Sequence, residues 1–384
     1  MLESYTLKLP KAVYAGKGAM SKLEGVLKEA GATKVALFTD KSIYELGLAD
    51  GAVEIIKSLG LGVEVCSDLA IEPTYAEVQK TVDWFCESGC DFILAIGGGS
   101  VMDASKLVSV LATSEYSVHD LLGDPSLARK QVKTVMVPTT AGTGAEATPN
   151  AIVAVPEDEL KVGIVSDEMV ADVVILEADM IKNLPRSIAA ATGLDALCHA
   201  IECFTSNKAN PMSDTFALEA LDLILNNIER ACDDPEAMDA KRAMQLASFY
   251  AGIAITASGT TAVHALSYPL GGRFHVAHGV SNAILLMPVM HYNEPACREL
   301  FAKAYDRCMP GDAATVEEKS AALLERMDEI VKHLDMPENL AALGVEDVDI
   351  DSLVASGMEV TRLLVNNMRE VTPEAAKAIY EQII

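Results

Sequence analysis

The chain has 384 residues, half of them hydrophobic but only 5% aromatic, and its 30 basic and 56 acidic side chains give a formal net charge of -26. That length suits two domains whose cores rest on Ala, Val, Leu, Ile and Met. So acidic a surface repels phosphate backbones and anionic lipid, which argues against nucleic-acid and membrane partners, and any anionic ligand must be held by local dipoles.

The N-terminal "MLESYTLKLPKAVYAG" lacks a basic-then-apolar signal pattern, and no apolar run is long enough to span a bilayer. "KVALFTD" (34–40), "GVEVCSD" (62–68), "DFILAIGGG" (91–99) and "KTVMVPTT" (133–140) read as buried strands, continuous apolar runs ending in turn residues. Between the second and third, Thr74 and Glu77 have capping-box spacing and Gly89 is a C-terminal stop. Strands alternating with helices imply a parallel sheet covered by helices. "AIVAVP", "KVGIVS" and "DVVILE" (151–177) follow as closely spaced strands, read as a hairpin-like extension beside the sheet.

Around Pro185 the pattern changes. From Ser187 onward the segments, among them "SIAAATGLDALCHAIECF" and "AKRAMQLASFYAGIAI", have helical periodicity, and the last helix opens with "TPEAA", a Thr cap followed by Pro. The expectation is an α/β domain over 1–184 and an all-α domain over 185–384, with a ligand in the cleft between them. The eight cysteines form no CxxC pair and lie in apolar periodic segments, as expected of reduced, mostly buried thiols in a cytoplasmic protein.

Three loops carry chemistry in the first half. In "AIGGGSVMDASKL" a strand ends at Gly97-Gly98-Gly99 and a helix begins near Ser100. Free N–H groups at such a helix start attract an anion, although the spacing is not GxGxxG and an ordinary strand–helix turn has the same look. "VPTTAGTGAEAT" (137–148) also follows a strand and carries hydroxyls at Thr139, Thr140, Thr143 and Thr148. Two small-residue loops at the carboxyl ends of parallel strands can bracket a phosphorylated ligand. Asp40 lies just past an earlier strand, where a carboxylate accepts from a ribose 2′-hydroxyl and repels a 2′-phosphate, favouring NAD over NADP; it also suits a cap for the helix starting "KSIYEL".

In the second half, "TGLDALCHAIE" puts Asp195 and His199 on one helix face, with Cys198 turned about 100° away. "HALSYPLGGRFHVAHG" continues a helix from His264 until Pro269 and Gly271-Gly272 break it, and His278 follows the break. One Asp and three His make four ligands without thiolate, a set that suits Fe²⁺ or Zn²⁺, with His275 competing for the place of His278. Tyr268, four residues after His264, faces the same way.

These motifs, "GGGSVMDASK", "PTTAGTGAE", "GLDALCHAIE" and "HALSYPLGGRFHVAHG", occur in the order and at the spacing of one family. Over nearly its full length the chain resembles the iron-containing (group III) alcohol dehydrogenases. The resemblance implies a Rossmann-like dinucleotide-binding domain and a helical metal-binding domain, in a dehydroquinate synthase-like architecture. It implies metal ligation by Asp195, His199, His264 and His278, and NAD contacts from Asp40, Gly97, Gly98, Gly99, Ser100, Asp103, Thr139, Thr140, Thr143, Thr148 and Lys161. It also implies a homodimer or larger assembly, with an N-terminal strand like "SYTLKL" crossing between subunits. The activity implied is hydride transfer between NAD(H) and a small alcohol or aldehyde, with Tyr268, His275 or the ribose hydroxyls passing the proton. Hydroxyacid–oxoacid transhydrogenases and 4-hydroxybutyrate-type dehydrogenases are the alternatives on the same fold. The chain departs from the family pattern at Tyr268, where many members carry a second histidine, at Ala277 in place of Pro, and at Ala145 where Ser is common.

Overall fold

The computed structural model describes residues 4–158, 160–309 and 311–384. They form two compact units: Lys8–Thr140 with Gly144–Asn183, and Leu184–Ile384 with Ala141–Thr143 and residues 4–7.

Among the described residues the first unit has eight strands, β1 (Ala12–Ala15), β2 (Lys34–Phe38), β3 (Gly62–Cys66), β4 (Phe92–Gly97), β5 (Lys133–Pro138), β6 (Asn150–Val155), β7 (Leu160–Val165) and β8 (Val173–Leu176). Its helices are α1 (Lys22–Ala30), α2 (Lys41–Glu45), α3 (Asp50–Ser58), α4 (Tyr75–Ser88), α5 (Gly99–Leu111) and α6 (Val118–Gly123). Six strands make an all-parallel sheet in the order β1-β8-β5-β4-β2-β3. β4 is buried at every position, as a central strand covered on both faces must be. Leu23, Leu27 and Ile56 from α1 and α3 close one face over Val35, Leu37, Leu94, Ile96 and Val137. The capping box of Thr74 and Glu77 starts α4, and Gly89 in the left-handed region ends it.

β6 and β7 form a separate antiparallel hairpin, from Asn150↔Val165 to Val155↔Leu160. "DVVILE" does not belong to it. As β8 it enters the main sheet between β1 and β5. The difference lies in the faces: β6 alternates buried and half-buried residues, whereas β8 is buried from Val174 to Leu176 and needs cover on both sides. Residues 4–9 pair with no strand among the described residues, and the first strand begins only at Ala12.

The second unit is helical: α7 (Arg186–Phe204), α8 (Pro211–Asp233), α9 (Met238–Ser258), α10 (Ala262–Phe274), α11 (His278–Cys308), α12 (Val316–His333), α13 (Ile350–Glu359), α14 (Thr361–Leu364) and α15 (Pro373–Tyr380). Asn210 with Ser213 and Thr315 with Glu318 make capping boxes for α8 and α12, and Thr372 caps α15 ahead of Pro373. No single helix among the described residues is long and apolar enough to cross a membrane.

α10 corrects an expectation. Pro269 and the Gly271-Gly272 pair lie inside the helix, and the break falls at His275, which takes φ 55°. A proline costs an interior helix one hydrogen bond. Here packing outweighs that cost. Leu266, Ser267, Pro269, Leu270 and Gly271 are all buried, and the Tyr380 hydroxyl donates to the Leu266 carbonyl at 2.8 Å. The cysteines are free; Cys198, Cys203, Cys297 and Cys308 are buried, whereas Cys86 is exposed.

A polar knot ties the hairpin to α5. The Lys106 ammonium, fully buried, donates to Asp103 (3.1 Å), to the Thr148 hydroxyl (3.1 Å) and to the Asn150 carbonyl (2.6 Å), and the other Asp103 oxygen accepts from the Ile152 N–H at 3.0 Å. Glu146, also buried, has one carboxyl oxygen with no hydrogen-bond partner among the described residues. Burial raises its pKa to about 7, against the pull of its own main-chain N–H and of Lys106. An unfolded glutamate titrates near ~4.3. Between these values the unfolded chain has released a proton that the folded chain still holds, so stability falls as pH rises through the window and levels off above it. Glu146→Gln removes that loss. Its stability relative to the parent should rise by on the order of 2 kcal/mol between about pH 4.5 and about pH 8, read from thermal or urea denaturation at both; a gain independent of pH would contradict it.

Candidate metal centre

α7 is buried on all sides from Gly193 to Phe204, so any polar group on it must find partners inside the protein. Asp195 and His199 stand one turn apart on it. α10 brings His264, and α11 begins at His278 directly after the break. Two glycines let these elements close up. A Cβ at Gly279 would lie 2.4 Å from the Ala191 carbonyl oxygen, and one at Gly142 would lie 2.6 Å from the Thr192 side chain.

One ligand atom from each of Asp195, His199, His264 and His278 lies within 4.8 Å of all the others. The Nε2 atoms of His199, His264 and His278 are 3.9, 3.6 and 3.5 Å from Asp195 Oδ1. The tautomers follow from the outer contacts. His199 Nδ1 faces the Gly142 carbonyl oxygen at 3.3 Å, and His264 Nδ1 faces the Glu202 carboxylate; neither partner can donate, so each Nδ1 carries the proton. Both Nε2 lone pairs then point inward, only 2.9 Å apart. Such an arrangement repels itself unless a cation or a proton lies between, and it fits a divalent metal.

Electrostatics agree. Burial would raise the Asp195 carboxyl, but His199, His278 and His264 hold it well below the usual carboxylate range. Burial lowers His199 to about 4, helped by its histidine neighbours. His264 is raised to about 9: burial opposes this, but Glu202 and Asp195 prevail. The site thus places positive charge at its centre, and a divalent ion supplies it without a proton.

Two residues of this site carry no motif expectation. Glu202, with no exposed surface, accepts from the Thr261 hydroxyl (2.8 Å), from the N–H groups of Val263 (2.7 Å) and His264 (3.4 Å), and from His264 Nδ1. Asn282 donates to Asp195 Oδ1 at 2.7 Å, and its Nδ2 lies 3.2 and 3.3 Å from the Nε2 atoms of His264 and His278, while its Oδ1 is buried without a partner among the described residues. Both were visible as spacing: Glu202 follows Asp195 and His199 on one helix face, and Asn282 follows His278 by four. His275 is exposed at the break and outside the ligand group. Cys198 is buried with its thiol towards the Asn282 carbonyl, 3.8 Å away, and is outside it too. The Tyr268 ring centre lies 6.2 Å from that of His278, which at 31% side-chain exposure is the most open ligand.

In the first unit, the sheet order sets Asp40, Gly97–Ser100 and Thr139–Thr140 at the carboxyl ends of three adjacent parallel strands, β2, β4 and β5. Asp40 caps α2 by accepting from the Ile43 N–H at 2.9 Å. Gly98 caps α5 without a side chain, which leaves the first-turn N–H groups of a 13-residue helix free of any side-chain cap. The Thr140 side chain stands beside Gly98, and the Thr139 N–H donates to the Gly97 carbonyl at 3.0 Å. This donor set fits a diphosphate. Asp103 and Thr148 are instead engaged by Lys106, Lys161 is paired with Glu72, and Thr143 groups with the helical unit.

Glu202→Gln should weaken metal binding by roughly 10- to 100-fold, the usual effect of losing a carboxylate behind a ligating histidine. Competition against a chelator measures it; unchanged affinity would reduce Glu202 to scaffolding for α10.

Comparison with known proteins covers both units of the chain. Residues 10–178 match the family model for iron-containing alcohol dehydrogenase, and residues 189–384 match that for the C-terminal part of the Fe-containing alcohol dehydrogenase family. Long-chain-alcohol dehydrogenase 1 of Geobacillus thermodenitrificans (strain NG80-2) is 32% identical over 97% of this chain and 95% of its own length. NAD-dependent methanol dehydrogenase of Bacillus methanolicus is 30% identical over 91% and 92%. The crystal structure of a 1,3-propanediol oxidoreductase superposes over 100% of both chains with a TM-score of 0.95 at 28% identity. The chain belongs to the iron-containing alcohol dehydrogenase family, and it is a metal-dependent, NAD(H)-linked oxidoreductase of small alcohols and aldehydes.

Proposed function

We propose that the chain interconverts small primary alcohols and their aldehydes at an Fe²⁺ ion held by Asp195, His199, His264 and His278, with NAD bound by Asp40, Gly97–Ser100 and the Thr139–Thr140 loop. The observation that carries this reading is the pair of inward-facing histidine lone pairs, 2.9 Å apart above an ionised aspartate. When bound, the metal supplies Lewis acidity to the substrate oxygen and the nicotinamide ring supplies the place for the hydride. The chain does the rest. Asp195 offsets the charge of the ion, and Gly142 and Glu202 fix the tautomers that aim the imidazoles. Tyr268, beside the most open ligand, bounds the substrate. The alcohol proton leaves through the Tyr268 hydroxyl or through His275, which is exposed three residues from His278. Asp40 accepts from the adenosine ribose, and its charge keeps out a 2′-phosphate.

Iron follows the family's description; the ligand set accepts Zn²⁺ as well. We further propose a homodimer or larger assembly in which residues 4–9, which carry the exposed Tyr5 and Leu9, find a partner strand in a second copy. A cytoplasmic location fits the eight free thiols. The domain boundary near residue 184 is proposed as the working division of dinucleotide and metal functions. A transhydrogenase acting on hydroxy and oxo acids would need a cation for the carboxylate. Arg273 donates to the Ser352 and Ser356 hydroxyls at 2.6 Å each, and Lys161 is paired with Glu72, which favours the alcohol reading.

Chelated protein restored with Fe²⁺ or Zn²⁺ should oxidise short alcohols with free NAD⁺, followed at the NADH absorbance band; silence with both metals, or strict need for a second oxo acid, would overturn this. Asp195→Ala should lose metal to background by elemental analysis. Tyr268→His should keep its metal and shift kcat/KM between substrates by about tenfold; equal loss on every substrate would make Tyr268 a wall residue.

A further inference from the structure

Glu72 lies in the turn between β3 and α4, and its backbone is left-handed at φ 53°, a conformation glutamate rarely takes. Its N–H donates to the Ser100 hydroxyl at 3.0 Å, and its carboxylate meets the Lys161 ammonium at 2.7 Å. Ser100 belongs to the first turn of α5, the positive pole left free by Gly98. Lys161 lies on β7 with only 9% of its side chain exposed, whereas a third of the Glu72 side chain is open to solvent. One residue therefore touches the first turn of α5 through its N–H and holds the hairpin's Lys161 through its carboxylate, so its negative charge lies within one side chain of the proposed phosphate cradle.

We propose that Glu72 sets how tightly this unit holds the diphosphate of a dinucleotide. Its carboxylate neutralises Lys161 and meets the bound diphosphate as a like charge, so the cofactor is released more readily than the glycines and helix pole alone would allow. Glu72 is a positioning residue, acting through Lys161 and through field. The proposal rests on the dinucleotide reading above. It would also explain why a half-buried carboxylate is kept in an unfavourable backbone conformation, since the left-handed turn is what brings N–H and carboxylate to their two partners together.

The test is equilibrium titration of the whole chain with NADH, by its fluorescence, and with ADP-ribose, by displacement of NADH. Glu72→Gln keeps length and removes charge; both ligands should bind about fivefold tighter, the scale of one partly exposed charge, with a steeper dependence on salt. Glu72→Asp keeps the charge, suits the left-handed turn better, and should stay close to the parent. Weaker or unchanged binding by Glu72→Gln overturns the proposal, as does an equal change in Glu72→Gln and Glu72→Asp. A parent that binds neither NADH nor ADP-ribose overturns the dinucleotide reading itself, and the proposal with it.

Discussion

A carboxylate with 1% exposure sits among three imidazoles on a helix buried without interruption from Gly193 to Phe204, and the helical unit is organised around making that tolerable. An ion in such a place needs opposite charge and full hydrogen bonding, because removing either costs several kcal/mol. Asp195 receives the Asn282 amide and faces three Nε2 atoms. Behind one of these, Glu202 places a second buried carboxylate. Two carboxylates and three neutral imidazoles balance a divalent cation, and the close approaches at Gly142 and Gly279 bring the backbone near enough to complete the shell. The two glycines thus serve the same cluster that surrounds Asp195.

The α/β unit solves a different problem, that of holding an anion in a protein of net charge -26. What it offers for that purpose is mainly neutral: a helix start without a side-chain cap, and threonines at the end of the neighbouring strand. Lys106 and Lys161, the lysines nearest these loops in the motifs, are committed elsewhere. Lys106 spends its three hydrogen bonds on α5 and the hairpin, a structural task hidden inside a motif that reads as a ligand loop. Burial pushes its ammonium down and the Asp103 carboxyl up, and each restrains the other.

Much of this was legible in sequence, for stated reasons. Buried parallel strands announce themselves as unbroken apolar runs, and β2, β4 and β5 lie where those runs are; β3, expected to be buried as well, is the half-buried edge strand of the sheet, with Glu64 in its middle. The capping boxes and the Thr-Pro start of α15 are local chemistry that tertiary context had no cause to override. What was not legible depends on partners distant in the chain. "DVVILE" looks like a third strand of the hairpin until its two buried faces are matched to β1 and β5. Pro269 looks like a helix end, because the Tyr380 hydroxyl and the packing that sustain α10 come from elsewhere. The cluster of Asp195, His199, His264 and His278 was readable because Asp195 and His199 share a face and histidines are scarce. Glu202 and Asn282 had the right spacing, but acids and amides are too common for spacing alone to single them out.

The break at His275 has one more consequence. Only His275, Val276 and Ala277 separate α10 from α11, and His264 and His278 lie on either side. A single ion bound there would join three helices, closing one loop from residue 199 to 264 and a short one across the break. It would act as a cross-link of the tertiary structure, made and unmade without covalent chemistry. Folding and metal supply would then be coupled. A cell short of the metal would hold not merely an idle enzyme but a looser helical unit, more open to proteolysis, so that the amount of this protein would itself follow the metal available to it.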